Sequence, residues 1–216
     1  MTEFAVIGLG NFGAMVVKKL FEEGIKITAI DADRGKVQEV QEHCHQAIVA
    51  DATDRRFLQN MEVDKFTAII VSTGDNEHAS ILITLHLKEM GAQRIIVKAN
   101  SLDHSKILLA VGAHETLIPE EEVAIKLARS LVQPNLLDYL PLSEKLSIAE
   151  LAPPDNFVGK TLAELQLRAK YHVEVIAIKD VLSGSFKFIP GGDFKIKDSD
   201  ILVVLGKEDD IEKIRG

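Results

Sequence analysis

Three glycines near the head of the chain, Gly8, Gly10 and Gly13 in "FAVIGLGNFG", have the G-x-G-x-x-G spacing that lets a backbone cradle a phosphate. In such a loop the first glycine permits a tight turn, the second lets the backbone approach the anion, and the third lets helix and sheet pack closely. The positive end of the helix that follows then faces the phosphate. Asp31 comes eighteen residues after Gly13, at the end of the next apolar run. A carboxylate there accepts hydrogen bonds from ribose hydroxyls and repels a 2′-phosphate, which disfavours NADP. Glycines kept only for close packing are the other reading of the loop, and the acid at this distance argues against it.

Further polar residues fall where the same ligand would lie. Asp51 ends a third apolar run in "ADATD", and it reads equally as a helix N-cap, with Thr53 or Asp54 beside it, and as a ligand contact. "STGDN" follows the fourth run and "VKAN" the fifth, at the carboxyl edge where open α/β sheets place ligands. Lys98 in "VKAN" is either a phosphate counter-charge or a solvated lysine at a strand end. His104 opens the next helix, within reach of a phosphate. Glu120 in "IPEEE" suits a helix first turn, or, beside a polyphosphate, a carboxylate holding magnesium or another cation.

These residues need a scaffold, and the hydrophobic pattern supplies one. Strand-like and helix-like stretches alternate from residue 3 to about residue 133. "EFAVIGLG", "IKITAID", "QAIVAD", "TAIIVST", "RIIVKAN" and "ETLIP" read as buried strands. Phe12, Val16 and Leu20 make the apolar face of the first helix, and Val123, Leu127 and Leu131 that of the last. The expected fold is α/β, a Rossmann-like doubly wound parallel sheet covered on both faces, with a second, smaller α+β domain behind it. The helix from Asn76 to Met90 is apolar nearly all round between Ile81 and Leu87, which points to burial on two sides and to contact with another subunit.

The boundary is expected at residues 134 and 135, giving domains 1–134 and 135–216. Pro134, Pro141, Pro153 and Pro154 break up the stretch after Leu131, and "NLLDYLPL" reads as a crossover linker. Thr161 and Glu164 have the spacing of a capping box for one short helix, "LAELQLRAKY". "VEVIAIKD", "SFKFIP" and "ILVVLG" follow as strands, with a turn at Gly191 and Gly192.

The totals narrow the function classes. A net charge of -8, from 25 basic and 33 acidic residues, opposes broad attraction to nucleic acid or anionic lipid. With Cys44 the only cysteine, no intrachain disulfide forms, and a reducing cytosol is the expected setting. No apolar run is long enough to span a bilayer, and no signal peptide is visible. A dehydrogenase on this scaffold needs an acid or base beside the nicotinamide, and no His-Asp, Ser-His or Tyr-Lys constellation stands in the second domain. His172 there begins an apolar strand. "HCH" at His43 to His45 reads as a surface connector rather than a zinc site, because adjacent residues point apart and no further cysteine exists.

Taken together, "FAVIGLGNFG", "ADATD", "IIVKAN", "VGAHETLIPE" and "LRAKYHVEVIAIK" resemble the regulator-of-potassium-conductance (RCK) proteins of the Ktr/Trk type over essentially the whole chain. "LRAKY" carries most, since ordinary dehydrogenases have no such element. The resemblance implies a non-enzymatic regulatory subunit, with an N-terminal nucleotide-binding domain and a C-terminal (TrkA-C-like) ligand-binding domain. Its implied partner is a membrane potassium-translocating subunit, which it gates from the cytoplasmic face as an octameric ring built from dimers. Its implied ligand is an adenine nucleotide (ATP, ADP or NAD(H)). Gly10, Asn11 and Phe12 would lie along the phosphates, Asp31 and Asp33 would hold ribose, and Asp51 and Ala52 would border adenine. Thr73, Gly74 and Asp75, with Lys98, Ala99, Asn100 and His104, would complete the pocket. Glu120 would bind a cation shared with the phosphates at a subunit interface. Related C-terminal domains bind cyclic di-AMP at a dimer interface, where Arg168 in "LRAKY" resembles a phosphate contact. Its other reading is a surface arginine on an amphipathic helix.

One departure bears on the ligand. Ktr members commonly carry arginine after the second glycine, where Asn11 stands here. Arginine neutralises a terminal phosphate with a bidentate contact that asparagine cannot make, so ADP or NAD(H) gains over ATP. Two other readings stay open on the residues: a small NAD-dependent oxidoreductase with an unrecognised active site, and a redox-sensing DNA-binding repressor. The second lacks a helix-turn-helix before the glycine loop and runs against the acidic charge.

Overall fold

Six short runs rich in Ile, Val and Ala pair into one parallel sheet: β1 (Glu3–Ile7), β2 (Lys26–Asp31), β3 (Gln46–Val49), β4 (Ala68–Val71), β5 (Ile95–Lys98) and β6 (Glu115–Leu117). Their order is β3-β2-β1-β4-β5-β6, so the chain reverses its direction of travel across the sheet between β1 and β4. The structure, a computed structural model, describes residues 2–132, 136–143 and 146–214, with residues 129, 130 and 141 described by backbone alone. The chain divides into two compact units, Met1–Pro119 and Glu120–Gly216.

Side-chain alternation along β1 shows why this sheet is covered on both faces. Ala5 and Ile7 enter one core with Ile69, Ile83, Leu87 and Leu108, while Val6 enters the other with Val17, Ile27 and Ile70. The helices of this unit are α1 (Asn11–Glu22), α2 (Arg34–Val40), α3 (Arg55–Asn60), α4 (Glu77–Glu89) and α5 (Leu102–Val111). Helix α4 buries Ala79, Ser80, Ile83, Thr84 and Leu87 within its own chain and leaves Leu85 exposed. Its apolar girth is thus used largely by the sheet and the neighbouring helices.

Helix α6 (Pro119–Val132) opens the second unit and behaves differently. Its apolar stripe of Val123, Leu127 and Leu131 is 67%, 58% and 74% exposed. The stripe read from the sequence exists, and it is largely exposed.

The second unit is an antiparallel sheet in the order β10-β9-β11-β8-β7. Its strands are β7 (Leu136–Pro141), β8 (Ser147–Leu151), β9 (Glu174–Asp180), β10 (Phe186–Phe188) and β11 (Asp200–Gly206), with short helices α7 (Leu162–Leu165), α8 (Leu167–Tyr171) and α9 (Glu208–Ile211). Two expectations change here. "NLLDYLPL" is not a linker: Leu136–Pro141 is a strand paired with β8, because an edge strand tolerates a proline at its end. Pro134 lies outside the described residues. "LAELQLRAKY" is two helices, since Gln166 takes φ +50° and breaks the run. "ILVVLG" is a strand as expected, and it alternates between the core and partial exposure. The capping box holds: Thr161 Oγ1 accepts the Glu164 N–H, and Glu164 Oε2 accepts the Thr161 N–H at 2.7 Å.

Candidate functional site

The glycine loop is shaped by contacts that a side chain would destroy. Gly8 takes φ +91°, and a Cβ on it would stand 2.0 Å from the carbonyl oxygen of Ser72, just past β4. At Gly13, the third residue of α1, a Cβ would stand 1.9 Å from the Gly8 carbonyl oxygen. Helix, loop and two strand ends therefore meet backbone to backbone. Gly10 is different, because a Cβ there would meet nothing within 4 Å. The open space beside it is what the close approach of a phosphate requires.

Gly10 is also the N-cap of α1 and supplies no side-chain acceptor to the first-turn amides. The other helices opening at this edge are capped, by Asp33 on α2, Asp54 on α3, Asn76 on α4 and Ser101 on α5. Among them α1 alone leaves its first-turn N–H groups to be met by something other than a capping side chain, and an anion is the partner they favour.

A cleft of about 490 Å³ lies over this loop at the reversal point of the sheet. That volume falls within the usual range for small-molecule pockets. Its lining brings together Gly8, Gly10, Asp31, Asp51, Ala52 and the Thr73–Gly74 turn. Asp31 Oδ2 accepts the Leu9 N–H at 2.7 Å, and Oδ1 accepts the Asp33 N–H at 2.8 Å. The carboxylate thus braces the glycine loop as well as facing the cleft, with lone pairs left for ribose hydroxyls. Asp51 Oδ1 accepts both the backbone N–H and the hydroxyl of Thr53, while the helix cap falls to Asp54. That division separates two roles the sequence left together.

Other expected contacts stand at the rim or beyond it. Asn11 is exposed on the first turn of α1, Phe12 is half-buried, and Asp33 is exposed and occupied in capping α2. Asp75 is exposed in the turn before α4, and Asn100 Nδ2 donates to the Gly74 carbonyl at 3.1 Å, tying two rim loops together. Lys98 ends β5 and Ala99 follows it, its N–H donating to the Leu117 carbonyl, and neither lines the cleft. His104 is 1% exposed, with both ring nitrogens bonded to protein, and it does not line the cleft either. Glu120 is exposed in the second unit on α6, and among the described residues no group of three or more His, Cys, Asp or Glu gathers to hold a metal.

Two titratable lining residues were not anticipated. Lys36 stands 3.9 Å from Asp31 Oδ2, and His78 lines the cleft from α4. Lys36 falls on the first turn of a helix whose start the sequence had not placed, so nothing in its spacing marked it. The histidines of "HCH" serve the fold: His45 Nδ1 accepts the Ile27 N–H, and Phe21 packs against both rings. Burial raises the Cys44 thiol pKa between them. His172 is the exposed C-cap of α8 at φ +57° rather than a strand residue.

The second unit has its own pocket of about 430 Å³, lined by Ala163, Gln166, Arg168, Glu174, Val175 and neighbouring residues. Arg168 Nε pairs with Glu174 Oε2 at 2.8 Å, both side chains largely exposed. Beside it, hydrogen bonds from the Thr161 backbone N–H and hydroxyl hold the Glu164 carboxyl pKa below its ordinary value.

An uncapped glycine loop at the reversal point of a parallel sheet, with a carboxylate at the end of β2, defines a Rossmann-type nucleotide-binding module, here followed by a small antiparallel module. Residues 4–119 match the TrkA-N domain family and residues 146–216 the TrkA-C domain family. The chain is 41% identical over 212 residues to the Ktr system potassium uptake protein C of Bacillus subtilis (strain 168), covering 98% of this chain and 95% of that one. It is 36% identical over 211 residues to the Ktr system potassium uptake protein A of the same organism, covering 98% and 94%. The chain belongs to the TrkA-N/TrkA-C family that includes these Ktr proteins. Among solved structures, the GsuK channel bound to NAD matches all of this chain with a TM-score of 0.68 at 17% identity, and this chain spans 39% of its length. At that identity the likeness is one of fold.

Proposed function

We infer that this chain is a nucleotide-binding regulatory subunit of a potassium uptake system. The observation that carries the reading is the open loop at Gly10 beside Asp31, in a member of the Ktr family. An adenine nucleotide lies with its phosphates on the first turn of α1 and its ribose at Asp31. Occupancy changes the shape of an oligomeric ring, an octamer built from dimers, seated at the cytoplasmic face of a membrane potassium-translocating subunit. The role is one of binding rather than turnover. The exposed stripe of α6 favours assembly, since oligomer interfaces are rich in such apolar surface.

Glu120 contributes one carboxylate to a magnesium ion or other cation, whose remaining ligands are phosphate oxygens or groups of a second subunit. The pocket at Arg168 takes cyclic di-AMP between two copies of the second unit, with Arg168 leaving Glu174 for a phosphodiester.

Titration calorimetry with ADP, ATP and NADH, each with and without magnesium, tests the cleft. ADP and NADH bind saturably, and Asn11→Arg strengthens ATP over ADP by adding charge at the terminal phosphate. Saturable binding of none of the three removes the reading. Equal shifts for all three in Asn11→Arg remove the placement of the loop.

A further inference from the structure

His104 is buried at the start of α5, and its hydrogen bonds dictate its tautomer. Nδ1 accepts the Asn100 backbone N–H at 3.2 Å, so the proton of the neutral ring sits on Nε2. Nε2 then donates to Ser80 Oγ at 3.0 Å, and the Ser80 hydroxyl donates onward to the Glu77 carbonyl at 2.8 Å. Asn100, held from one side by the imidazole, reaches across with its side chain to the Gly74 carbonyl at 3.1 Å. Thr73 Oγ1 closes the turn beyond by donating to the Asn76 carbonyl at 3.0 Å. One ring therefore ties α4 to the turn after β5, and through Asn100 to the Thr73–Asn76 wall of the cleft.

We propose that His104 is a positioning residue of the cleft. As the Nε2–H tautomer it holds the Thr73–Asn76 wall in its binding shape through Asn100, and protonation of the ring releases that wall. A protonated Nδ1 is a donor and faces the Asn100 N–H, another donor. The acceptor at hand is Glu77 on α4, whose Oε1 lies 3.6 Å from Nδ1 and is the charged group within ion-pair distance of the ring among the described residues. On α5 itself, Asp103 and Lys106 are paired with each other at 2.9 Å. The ring thus has two partners for one nitrogen, selected by its charge. The inference rests on the nucleotide reading of the cleft, and its test has one arm that does not.

The full-length protein is compared between pH 8 and pH 5.5 in a His78→Gln background, because a protonated His78 in the cleft would itself attract phosphate. The first readout is ADP affinity. The second is amide exchange in the ligand-free protein at residues 73–76 and 99–101, corrected for the intrinsic rate. Affinity is expected to be about tenfold lower at pH 5.5 than at pH 8, with exchange at both segments higher at the lower pH. His104→Asn places an amide oxygen near the Nδ1 position; it keeps the pH 8 affinity within about threefold and loses the pH dependence. His104→Phe weakens binding roughly tenfold at every pH, also without a titration. A His104→Asn protein that titrates like its parent overturns the proposal, as does exchange at the two segments that ignores pH. If the parent binds no nucleotide, the functional reading falls and the exchange arm alone decides whether the link exists.

Discussion

At the mouth of the parallel sheet a methyl group on Gly8 or Gly13 would run into backbone, at 2.0 and 1.9 Å. At the Arg168 pocket of the second unit, the lining glycine, Gly192, would bring a Cβ only to 3.4 Å from the Ala163 Cβ, an ordinary contact. The first site is held open by what cannot be there, and the second is furnished by side chains that many residues could replace. A site specified by steric exclusion is stiff and leaves its mark as residue spacing. A site furnished by exposed side chains depends on where the surrounding elements happen to turn.

Substitutions at the glycines sharpen this difference most. Gly13→Ala and Gly8→Ala each force backbone atoms apart and should lower stability by about 3 kcal/mol or more, a fall in Tm of roughly 10 °C. Gly10→Ala should leave the melting temperature near that of the parent, because its Cβ meets nothing, yet weaken nucleotide binding by more than about tenfold. Thermal melts and ADP titrations of the three variants separate the packing glycines from the one proposed to meet the ligand. If Gly10→Ala binds ADP unchanged, the open space does not receive the phosphate.

Asp31 is expected to show both behaviours at once. On the proposed placement Asp31→Ala removes a charge-assisted acceptor from ribose, which should cost about 1.5–3 kcal/mol of affinity for every adenine nucleotide alike. It also frees the Leu9 N–H, so its melting temperature should fall, whereas Asn11→Arg should leave it unchanged. Calorimetry beside melting curves checks the pair.

The second site should respond more mildly. If cyclic di-AMP occupies this pocket as proposed, Arg168→Ala should remove its binding to the full chain while leaving stability almost untouched, since exposed ion pairs are worth about 0–1 kcal/mol. A titration showing undiminished cyclic dinucleotide binding in this variant would detach the ligand from this pocket.

The smallest effect expected concerns acid. The Glu164 carboxyl pKa is lowered in the fold, so its contribution is present above the ordinary carboxylate pKa of about 4.3 and is lost as pH falls through the folded value. Glu164→Gln should therefore be slightly less stable than the parent at pH 6, with the gap closing below about pH 4. Melting curves across that interval read it directly, and a gap that persists in acid would assign the effect to shape rather than charge.

How far each unit could be read from its residues follows the same division. Apart from β6, a Glu-Thr-Leu strand, the parallel strands are largely apolar runs separated by helical periodicity, and all six expected strands appear in the sheet. The second unit hides its architecture. β7 ends in Pro141, and β8 is a short alternating run, so turn-forming residues masked a paired hairpin. The helix break at Gln166 rests on a backbone conformation that glutamine rarely adopts, and no propensity foretells it.

By itself, the sequence determined the alternation of strands and helices, the capping box at Thr161 and the glycine spacing with its acid eighteen residues on. Each of these is a local pattern, set by period, by cap chemistry or by the absence of a Cβ. Only the tertiary structure decided that Asp31 braces Leu9, that Asp54 rather than Asp51 caps α3, and that His104 turns inward to Ser80 instead of outward to the cleft. It also left the stripe of α6 largely exposed. The physical reason is that a hydrogen-bonding group takes the partner that folding brings within reach. For Asp31 and His104 those partners lie 22 and 24 residues away along the chain, where no local pattern can name them.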